Sequence, residues 1–320
     1  MNLKLTTLAA AIAISAPAMA TLGEANGFSG EISVIAGYSS SESNLDTNSS
    51  ANLTSLDAKP ESDDNFLAAP LGNVAYTFGS RSEQQIYAGT TREDIAVGTV
   101  ALQLGYKYLF PSRMQINLSY LPTVVEGEEW QNPYDTVNTR TETDVKGNAY
   151  RMEINNVAGS LLSFDLAYAD KEVKNDFWQG TYLDRNGSTY QAKAKVRVPI
   201  SRSTMLMPSI TYQRHNADGE ANAKKTITGE LSLFQSFGPH QFALTGSYGS
   251  ADYDGANALF SGETRNEDMF SFFLAYEYQQ FLGWQNTSFI AFAGYDNSDA
   301  NIDFYDTKSM ITSIGLSYRF

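Results

Sequence analysis

The sequence predicts an all-β fold: a transmembrane, antiparallel, up-and-down β-barrel of about fourteen strands. Apolar and polar residues alternate over many segments of the chain, and the connections between these segments are short and long in turn. The 320 residues include 19 Tyr and 18 Phe, and many of these aromatic residues lie near the ends of the alternating segments. Such an arrangement is typical of a membrane barrel, whose apolar band is flanked by two girdles of aromatic side chains.

The first twenty residues have the layout of a secretory signal peptide, 1–20. Lys4 supplies the positive charge, an apolar run extends from Leu8 to Ile14, and Ala18-Met19-Ala20 is a small-residue cleavage box. An uncleaved membrane anchor is the alternative, but a spanning helix needs about 20 apolar residues and this run is roughly half as long. We therefore predict cleavage after Ala20.

The remaining chain, 21–320, is predicted to be a single barrel domain. The full sequence carries a formal net charge of −14, whereas nucleic-acid binders present a basic patch, so no nucleic-acid partner is expected. It contains no cysteine, which excludes disulfides and thiolate metal sites. Beyond the leader, no stretch approaches 18 consecutive apolar residues, which excludes a bundle of membrane helices. A barrel remains, because the inward half of each strand can be polar.

The alternation is clearest in two segments. In 100–108, Leu, Tyr and Val at even positions alternate with polar or small residues at odd positions. In 190–198, Tyr, Ala and Val alternate with Gln191, Lys193, Lys195 and Arg197, which requires two very different faces. The predicted strands are 28–40, 71–79, 84–91, 97–108, 114–122, 146–156, 160–170, 187–199, 204–214, 224–235, 240–250, 268–279, 285–296 and 308–320. Four of them alternate weakly, so twelve strands is the alternative to fourteen.

The connections give an independent indication of the same fold. Short turns such as 79–83 and 110–113 separate long polar segments, as expected when short periplasmic turns face long external loops. A soluble β-sandwich also has many short alternating strands, but it gives no reason for this regular alternation of loop length. The long segments are 41–66, 123–143, 170–186, 214–223, 251–266 and 297–307.

The last strand resembles the assembly signature of Gram-negative outer-membrane barrel proteins. It ends on Phe320, has Tyr318 two residues earlier, and has Leu316 and Ile314 at alternate positions upstream. In size and strand number the chain is similar to the monomeric fourteen-strand porins. The resemblance implies residence in the outer membrane among lipid and lipopolysaccharide, insertion by the barrel-assembly machinery, and passage of small polar solutes.

Charged residues at inward positions indicate how the interior works. Lys193, Lys195 and Arg197 form a row with Arg151 nearby, and Glu230 and Glu277 face inward from later strands. Charged side chains that line a pore set its ion selectivity, so these six residues are the predicted pore lining. The alternative is that the charges neutralise one another as cross-strand pairs, together with residues such as Glu153 and Asp165.

Two external loops carry further expectations. The first, Ser41 to Asn65, is rich in Ser, Asn and Asp and has no aromatic residue, so we expect it to be flexible and solvated. The third, Thr123 to Thr143, combines several acidic residues with Trp130 and Tyr134. Its place in the chain matches the loop that constricts general porins, but an acidic, solvated surface loop is the favoured interpretation.

No enzyme, metal site or cofactor is predicted. His215 with Asp252 and Asp254 resembles the rim arrangement of barrel proteases, although the spacing does not match that family and the residues are two strands apart. His240, in a short turn, is interpreted as structural. The function hypotheses are a passive channel, a plugged structural or surface-interaction barrel, and a rim hydrolase. A channel for apolar compounds is disfavoured, because it requires an apolar interior pathway and an N-terminal plug.

Overall fold

The computed structural model describes residues 22–89, 102–122 and 127–320, which form seventeen β-strands and four short 3-10 segments. The predicted signal peptide and its cleavage site lie outside these ranges, as do parts of the third and fourth predicted strands. The strands are β1 (Gly27–Glu42), β2 (Ser62–Phe78), β3 (Gln84–Gly89), β4 (Gln103–Leu109), β5 (Gln115–Pro122), β6 (Gly127–Trp130), β7 (Glu142–Lys146), β8 (Asn148–Asn155), β9 (Leu162–Val173), β10 (Gly187–Val196), β11 (Val198–Pro199), β12 (Thr204–Ala217), β13 (Lys224–Phe237), β14 (His240–Asn257), β15 (Glu263–Gln279), β16 (Thr287–Ala300) and β17 (Thr307–Arg319). The 3-10 segments are Val157–Gly159, Ala258–Phe260, Phe281–Gly283 and Asp303–Tyr305.

Within the described ranges, these strands build a closed antiparallel barrel of fourteen staves, which confirms the predicted fold and strand number. A stave is one strand of the barrel wall, or β10 and β11 together. Each stave pairs with its neighbours along the chain, and β1 pairs with both β2 and β17 to close the cylinder. β10 and β11 form one stave against β12. β6 and β7 form a hairpin within the third external loop, in which β7 also pairs with the outer end of β9, and β5 pairs directly with β8.

Several strands extend further outward than the sequence predicts. β2 begins at Ser62 instead of residue 71, and β14 and β15 extend into the predicted loop 251–266 and leave 258–262 as their connection. The first four residues of β2, 62–65, are polar on both faces, and the next four, 66–69, are apolar at consecutive positions, so neither part shows the two-residue alternation. Its backbone nevertheless pairs with β1, from Glu42 opposite Ser62 onward. Backbone pairing therefore continues beyond the apolar band that makes a membrane strand recognisable.

The barrel exterior is apolar and aromatic, as a lipid-facing surface requires. Four tyrosines from adjacent strands, Tyr120, Tyr150, Tyr168 and Tyr190, form a row with ring centroids 5.1–6.4 Å apart. A second aromatic group, in which the ring of Tyr276 lies 4.9 Å from that of Phe242 and 6.3 Å from that of Phe289, is found at the end of the barrel with the short turns. The two groups mark the outer and periplasmic boundaries of the membrane.

Among the described residues, no helix is both long enough and apolar enough to span a membrane.

The predicted assembly-signature residues all point outward. Ile314, Leu316, Tyr318 and Phe320 are exposed on the outer face of the last strand, alternating with the buried interior residues Ser313, Ser317 and Arg319.

The junction between β1 and β17, which we call the seam, is closely packed and stabilised by ion pairs. A Cβ on Gly37 would lie 2.2 Å from the Thr312 carbonyl oxygen, so glycine permits the close approach of the two strands. Near the periplasmic end, Arg319 Nε donates to Glu31 Oε2 at 3.0 Å, and Arg319 Nη2 lies 2.9 Å from Glu277 Oε1. The three side chains are nearly buried, at 6%, 17% and 0% exposure, so the first strand, the last strand and β15 share one buried ionic cluster.

We predict that Arg319→Ala destabilises the barrel by about 3–5 kcal/mol, because two carboxylates then lose their cation inside the wall. The measurement is the denaturant midpoint of the refolded protein in detergent, and unfolding is monitored by the difference in gel mobility between the folded and the unfolded barrel. Lys308→Ala is the matched control, since its ion pair with Glu42 joins the same two strands but is about half exposed and should contribute about 0–1 kcal/mol. Equal losses in the two variants would contradict this account of the seam.

Candidate pore lumen and external cap

Side chains on the inner face of the barrel divide into two regions, of which the first is charged. We call it the charged wall; it is contributed by strands β4 to β13. The alternation that points Tyr150, Leu166 and Tyr190 to the outside places the residues between them inside. The charged wall contains Lys107, Arg151, Glu153, Asp165, Lys193, Lys195, Arg197 and Glu230.

Most of these charges are joined in ion pairs across the strands. Arg151 Nε donates to Asp165 Oδ1 at 2.9 Å, and Arg151 Nη2 lies 3.3 Å from Glu153 Oε1. Lys195 Nζ lies 3.5 Å from the same Glu153 oxygen. Lys193 Nζ donates to Glu230 Oε1 at 2.9 Å. The structure therefore shows the cross-strand pairing that the sequence offers as one interpretation of the charged rows.

Five basic and three acidic side chains leave the charged wall with a net positive charge. At its periplasmic end, Arg197 bonds the side-chain oxygen of Asn156. Lys107 lies over the ring of Tyr87 at 4.6 Å.

Glu277 is separated from the other predicted pore-lining residues. It faces the interior, as predicted, but it lies in the ionic cluster with Arg319 and Glu31 near the seam. Glu230, the other inward glutamate of the predicted pore lining, contacts Lys193 directly. Glu230 and Glu277 therefore belong to separate ionic clusters.

The second interior region is apolar, and sequence reasoning missed it. This apolar wall lies on β1, β2 and β13 to β17, and its side chains are buried inside the barrel. Its signal is present in the chain: segments such as Phe272-Phe273-Leu274-Ala275 and Phe289-Ile290-Ala291-Phe292 are apolar at consecutive positions, so both faces of those strands are apolar. The apolar wall contains Ile35, Leu67, Ala69, Leu71, Ala243, Phe273, Ala275, Ile290, Phe292 and Ile311, with Phe234 packed against it.

The external mouth is covered by loops that pack together, which we call the external cap. Tyr134 of the third loop contacts rings from three other connections. Its hydroxyl shares a hydrogen bond with the Tyr305 hydroxyl at 2.9 Å. Because the third loop reaches the last one, between β16 and β17, the cap crosses the opening. Its buried core is Leu53, Tyr134, Leu183, Ala221, Ile302, Phe304 and Tyr305.

The first loop is ordered within this cap, so the expectation of a flexible, solvated segment is wrong. Leu53 is buried in the cap core, and Asn44 donates to the carbonyl oxygens of Ala58 and Phe304 at 3.0 and 3.1 Å. Arg140 of the third loop donates to the Asn44 carbonyl at 2.6 Å and lies 4.3 Å from the ring of Trp130. A few leucines and backbone carbonyls hold the loop, and composition alone does not reveal such partners.

The third loop is likewise packed instead of being a solvated acidic surface loop. Trp130 is 2% exposed, and its indole nitrogen donates to the Asp46 carbonyl at 3.1 Å. Glu129, one of the acids that suggested a solvated loop, lies between two cations, at 2.5 Å from Lys171 and 3.3 Å from Arg185. Residues 123–126, with Glu126, lie outside the described ranges.

A cluster of charged and aromatic side chains around Arg265 joins the cap to the barrel wall. The guanidinium of Arg265 lies between the rings of Tyr253 and Tyr305, at 3.7 and 4.0 Å. Beside it, Glu267 contacts both Arg265 and Lys224. These contacts tie β13, β14 and β15 to the last external connection.

The residues considered for a rim hydrolase do not meet. His215 faces the interior, and its Nδ1 bonds the Thr189 hydroxyl at 2.9 Å. Asp254 lies on the outer face and accepts from Arg214 Nη1 at 2.9 Å, and Asp252 contacts Lys225. Opposite faces of the sheet therefore separate the imidazole from both carboxylates.

His240 contacts two neighbouring tyrosines, as expected of a residue with a structural role. Its Nδ1 bonds the Tyr276 hydroxyl at 2.8 Å, and its ring stacks on Tyr278 at 4.7 Å. In the part of the chain that the structure describes, no cluster of His, Asp and Glu is arranged to hold a metal ion.

Comparison with known proteins identifies a family, and it finds solved structures to which the chain is similar. A protein family described as "Protein of unknown function (DUF2860)" matches residues 27–319. No match is found among curated proteins. The fold is similar to that of the outer membrane channel DcaP of Acinetobacter baumannii, with 10% identity, a TM-score of 0.46 and coverage of 99% of this chain and 100% of that chain. It is similar to an anion-selective porin from Comamonas acidovorans, with 8% identity, a TM-score of 0.42 and coverage of 92% and 100%. A third similar structure is the Pseudomonas putida toluene transporter TodX, with 7% identity, a TM-score of 0.44 and coverage of 92% and 89%. At these identities and scores the likeness concerns the fold alone.

We predict that Tyr134→Ala loosens the external cap without unfolding the barrel. The change removes a buried ring that four other aromatic side chains contact, a loss of about 3–5 kcal/mol. Limited proteolysis should cut the external loops of this variant faster while leaving the strands intact. Val137→Ala, at a site that is 89% exposed in the same loop, should match the wild type. Unchanged cleavage of the Tyr134 variant would contradict the packing role of the ring.

The cap should also weaken at alkaline pH. Burial, with the neighbouring Tyr305 hydroxyl, raises the pKa of Tyr134 well above its ordinary value. The neutral hydroxyl is therefore favoured in the folded cap, whose stability is complete below about pH 10 and falls as the pH rises above it. Fluorescence of Trp130 and Trp178, both in the cap, should follow this change. Tyr134→Phe should move the transition to higher pH, and an unshifted midpoint would contradict the assignment.

Proposed function

This chain belongs to the DUF2860 family, whose function is unknown, and we propose that it is an outer-membrane channel for passive diffusion of small polar or ionic solutes. The observation that carries the proposal is the charged wall, eight ionisable side chains on the inner face of a fourteen-stave barrel. Small eight-strand barrels are filled by their own side chains, whereas 16 to 18 strands leave an aqueous channel, and fourteen approaches that size.

The ion pairs support a hydrated interior. Burying charges away from water costs several kcal/mol per ion even when they are paired, so a dry lumen would favour apolar residues at these positions. Lys193 and Lys195 retain 12% and 13% exposure of their side chains while paired. Water and ions that pass through the barrel would contact these side chains.

A second candidate function, a closed surface-interaction barrel, is favoured by the external cap. Loops from across the mouth share one apolar core, and such packing could keep the barrel shut. The cap also presents exposed apolar side chains, with Phe177 at 63% and Val137 at 89% exposure, to the outside. In this alternative the loops bind a partner and the interior has no transport role.

We assign no catalytic role to any residue. The proposal also includes export through the signal peptide with cleavage after Ala20, and recognition of the last strand by the barrel-assembly machinery. The outward row of Ile314, Leu316, Tyr318 and Phe320 supports that recognition, because the side chains of the signature are accessible from the lipid side. Lipid and lipopolysaccharide would surround the apolar exterior.

The test is single-channel recording of the refolded protein in a planar bilayer under a salt gradient. The wild type and the open-cap variant Tyr134→Ala should both give discrete conductance steps, with longer or more frequent openings in the variant. The triple variant Lys193→Ala, Lys195→Ala, Arg197→Ala should shift the reversal potential towards cation preference, with a change of about severalfold in the permeability ratio. Lys225→Ala, which removes an exposed lysine of an outer ion pair, is the control and should leave selectivity unchanged.

Silent bilayers for both the wild type and Tyr134→Ala, with a folded barrel in each, would overturn the channel and favour the surface-interaction barrel. Conductance that is identical in the triple variant and the wild type would show that ions do not pass along the charged wall.

A further inference from the structure

The external cap carries a cleft that the proposed channel does not use. The cleft lies between the segment 131–141 of the third loop and the ring of Phe177, which belongs to the connection between β9 and β10, and its volume is about 470 Å³. Binding sites for small molecules typically measure about 300–1,000 Å³, so the cleft is large enough to hold a ligand.

The lining of the cleft is polar and close to neutral. Three threonines, two asparagines and one glutamine contribute hydroxyl and amide groups, and the charges of Asp135 and Arg140 offset each other. The Asp135 carboxylate accepts from the backbone amides of Val137 and Asn138 at 2.9 and 2.8 Å. Because that carboxylate already has these donors, the cleft suits a neutral ligand with several hydroxyl groups better than a charged one.

Two amides of the lining retain hydrogen-bond donors for a ligand. Gln131 Oε1 accepts from the Thr141 hydroxyl at 2.9 Å. Asn132 Oδ1 accepts from Trp178 Nε1 at 2.9 Å and from the Tyr134 backbone amide at 3.2 Å. These contacts use the amide oxygens, so the two NH₂ groups have no bonded partner among the described residues. They can donate to the oxygen atoms of a ligand in the cleft.

Phe177 supplies an apolar surface beside these donors. Its ring is 63% exposed, although its position is fixed. Its backbone amide donates to the Gln131 carbonyl at 3.1 Å, and its ring lies edge-on to Trp178 with the centroids 5.2 Å apart. An aromatic ring held in water gains free energy when an apolar group covers it. A sugar ring offers such a surface, because one of its faces carries mainly C–H groups while hydroxyls surround its edge.

The cleft is formed without a ligand. At its base, Tyr134 is buried in the cap core, and Arg140 is 5% exposed. Arg140 donates to the carbonyl oxygens of Asn44 and Pro133 at 2.6 and 3.3 Å. A site that is fixed in advance loses little conformational entropy when a ligand binds.

We propose that this cleft binds a neutral sugar unit of a glycan outside the cell, with the sugar ring stacked on Phe177 and its hydroxyls bonded by Gln131 and Asn132. An acidic glycan is disfavoured, because the chain carries a formal net charge of −14. A folded protein partner usually buries about 1,000 Å² or more, which a single cleft of this size does not supply. The site lies on the outer side of the cap, so its function does not depend on whether the barrel conducts.

The test is saturation-transfer NMR of the refolded protein with lactose, maltotriose, cellotriose, mannotriose and diacetylchitobiose as neutral probes. Lauryldimethylamine oxide is the detergent, because the sugar head groups of maltosides would compete for the cleft. At least one neutral probe should bind, with a Kd of about 0.1–1 mM. Trigalacturonate, the acidic probe, should bind about tenfold more weakly than the best neutral probe.

Variants locate the bound sugar. Phe177→Ala should weaken binding of the best neutral probe by about tenfold, because the stacked surface is lost, whereas Phe177→Tyr should retain it. Gln131→Leu should weaken it by about three- to tenfold, because a donor to the sugar is lost. Phe237→Ala is the matched control, since it removes a phenylalanine that is 61% exposed at the periplasmic end of β13, and it should bind like the wild type.

Equal binding in Phe177→Ala and the wild type, or no signal from any neutral probe with a folded barrel, would overturn the proposal. Tighter binding of trigalacturonate would overturn the choice of a neutral sugar. Displayed peptides that bind the wild type and not Phe177→Ala, without any saccharide signal, would assign the cleft to a protein partner instead. None of these measurements involves conductance, so such a failure leaves the proposed channel standing.

Discussion

The constraint on which the rest of this structure depends is the pairing of every backbone amide and carbonyl inside a bilayer. A sheet in lipid has no water to satisfy its edges, so it must close on itself. Here closure falls on β1 and β17, whose register runs from Glu31 opposite Arg319 to Glu42 opposite Lys308. Gly37 lets the strands approach, and the cluster of Glu31, Arg319 and Glu277 fixes their relation at the periplasmic end.

Closure also determines how each residue is used, because alternate side chains along a strand face lipid and interior. The lipid side accepts apolar and aromatic groups, whereas the inner side is free to be polar, apolar or charged. In this chain the inner side uses that freedom unevenly, with ion pairs such as Lys193–Glu230 on one part of the circumference and Phe273 and Phe292 on another. The interior is thus amphipathic around its circumference.

The external cap shows that polar loops can be well ordered without an apolar composition. Arg140 and Arg185 donate to backbone carbonyls of the first and third external loops, and buried rings such as Tyr134 supply apolar contacts between loops. Guanidinium groups suit this role because they offer several donors in a fixed plane. The cap therefore depends on a few long side chains that join loops distant in sequence.

The sequence by itself indicated a barrel of about fourteen strands and most of its lipid-facing residues, because two-residue periodicity is local and lipid imposes it on every membrane strand. It also placed Arg151, Lys193, Lys195 and Glu230 on inward positions. Tertiary structure decided what lies beside what: Glu230 beside Lys193, Glu277 beside Arg319, and His215 on the opposite face from Asp252 and Asp254. Those neighbours depend on register and closure around the barrel, as do the apolar wall and the cap, and they join residues that the chain holds far apart.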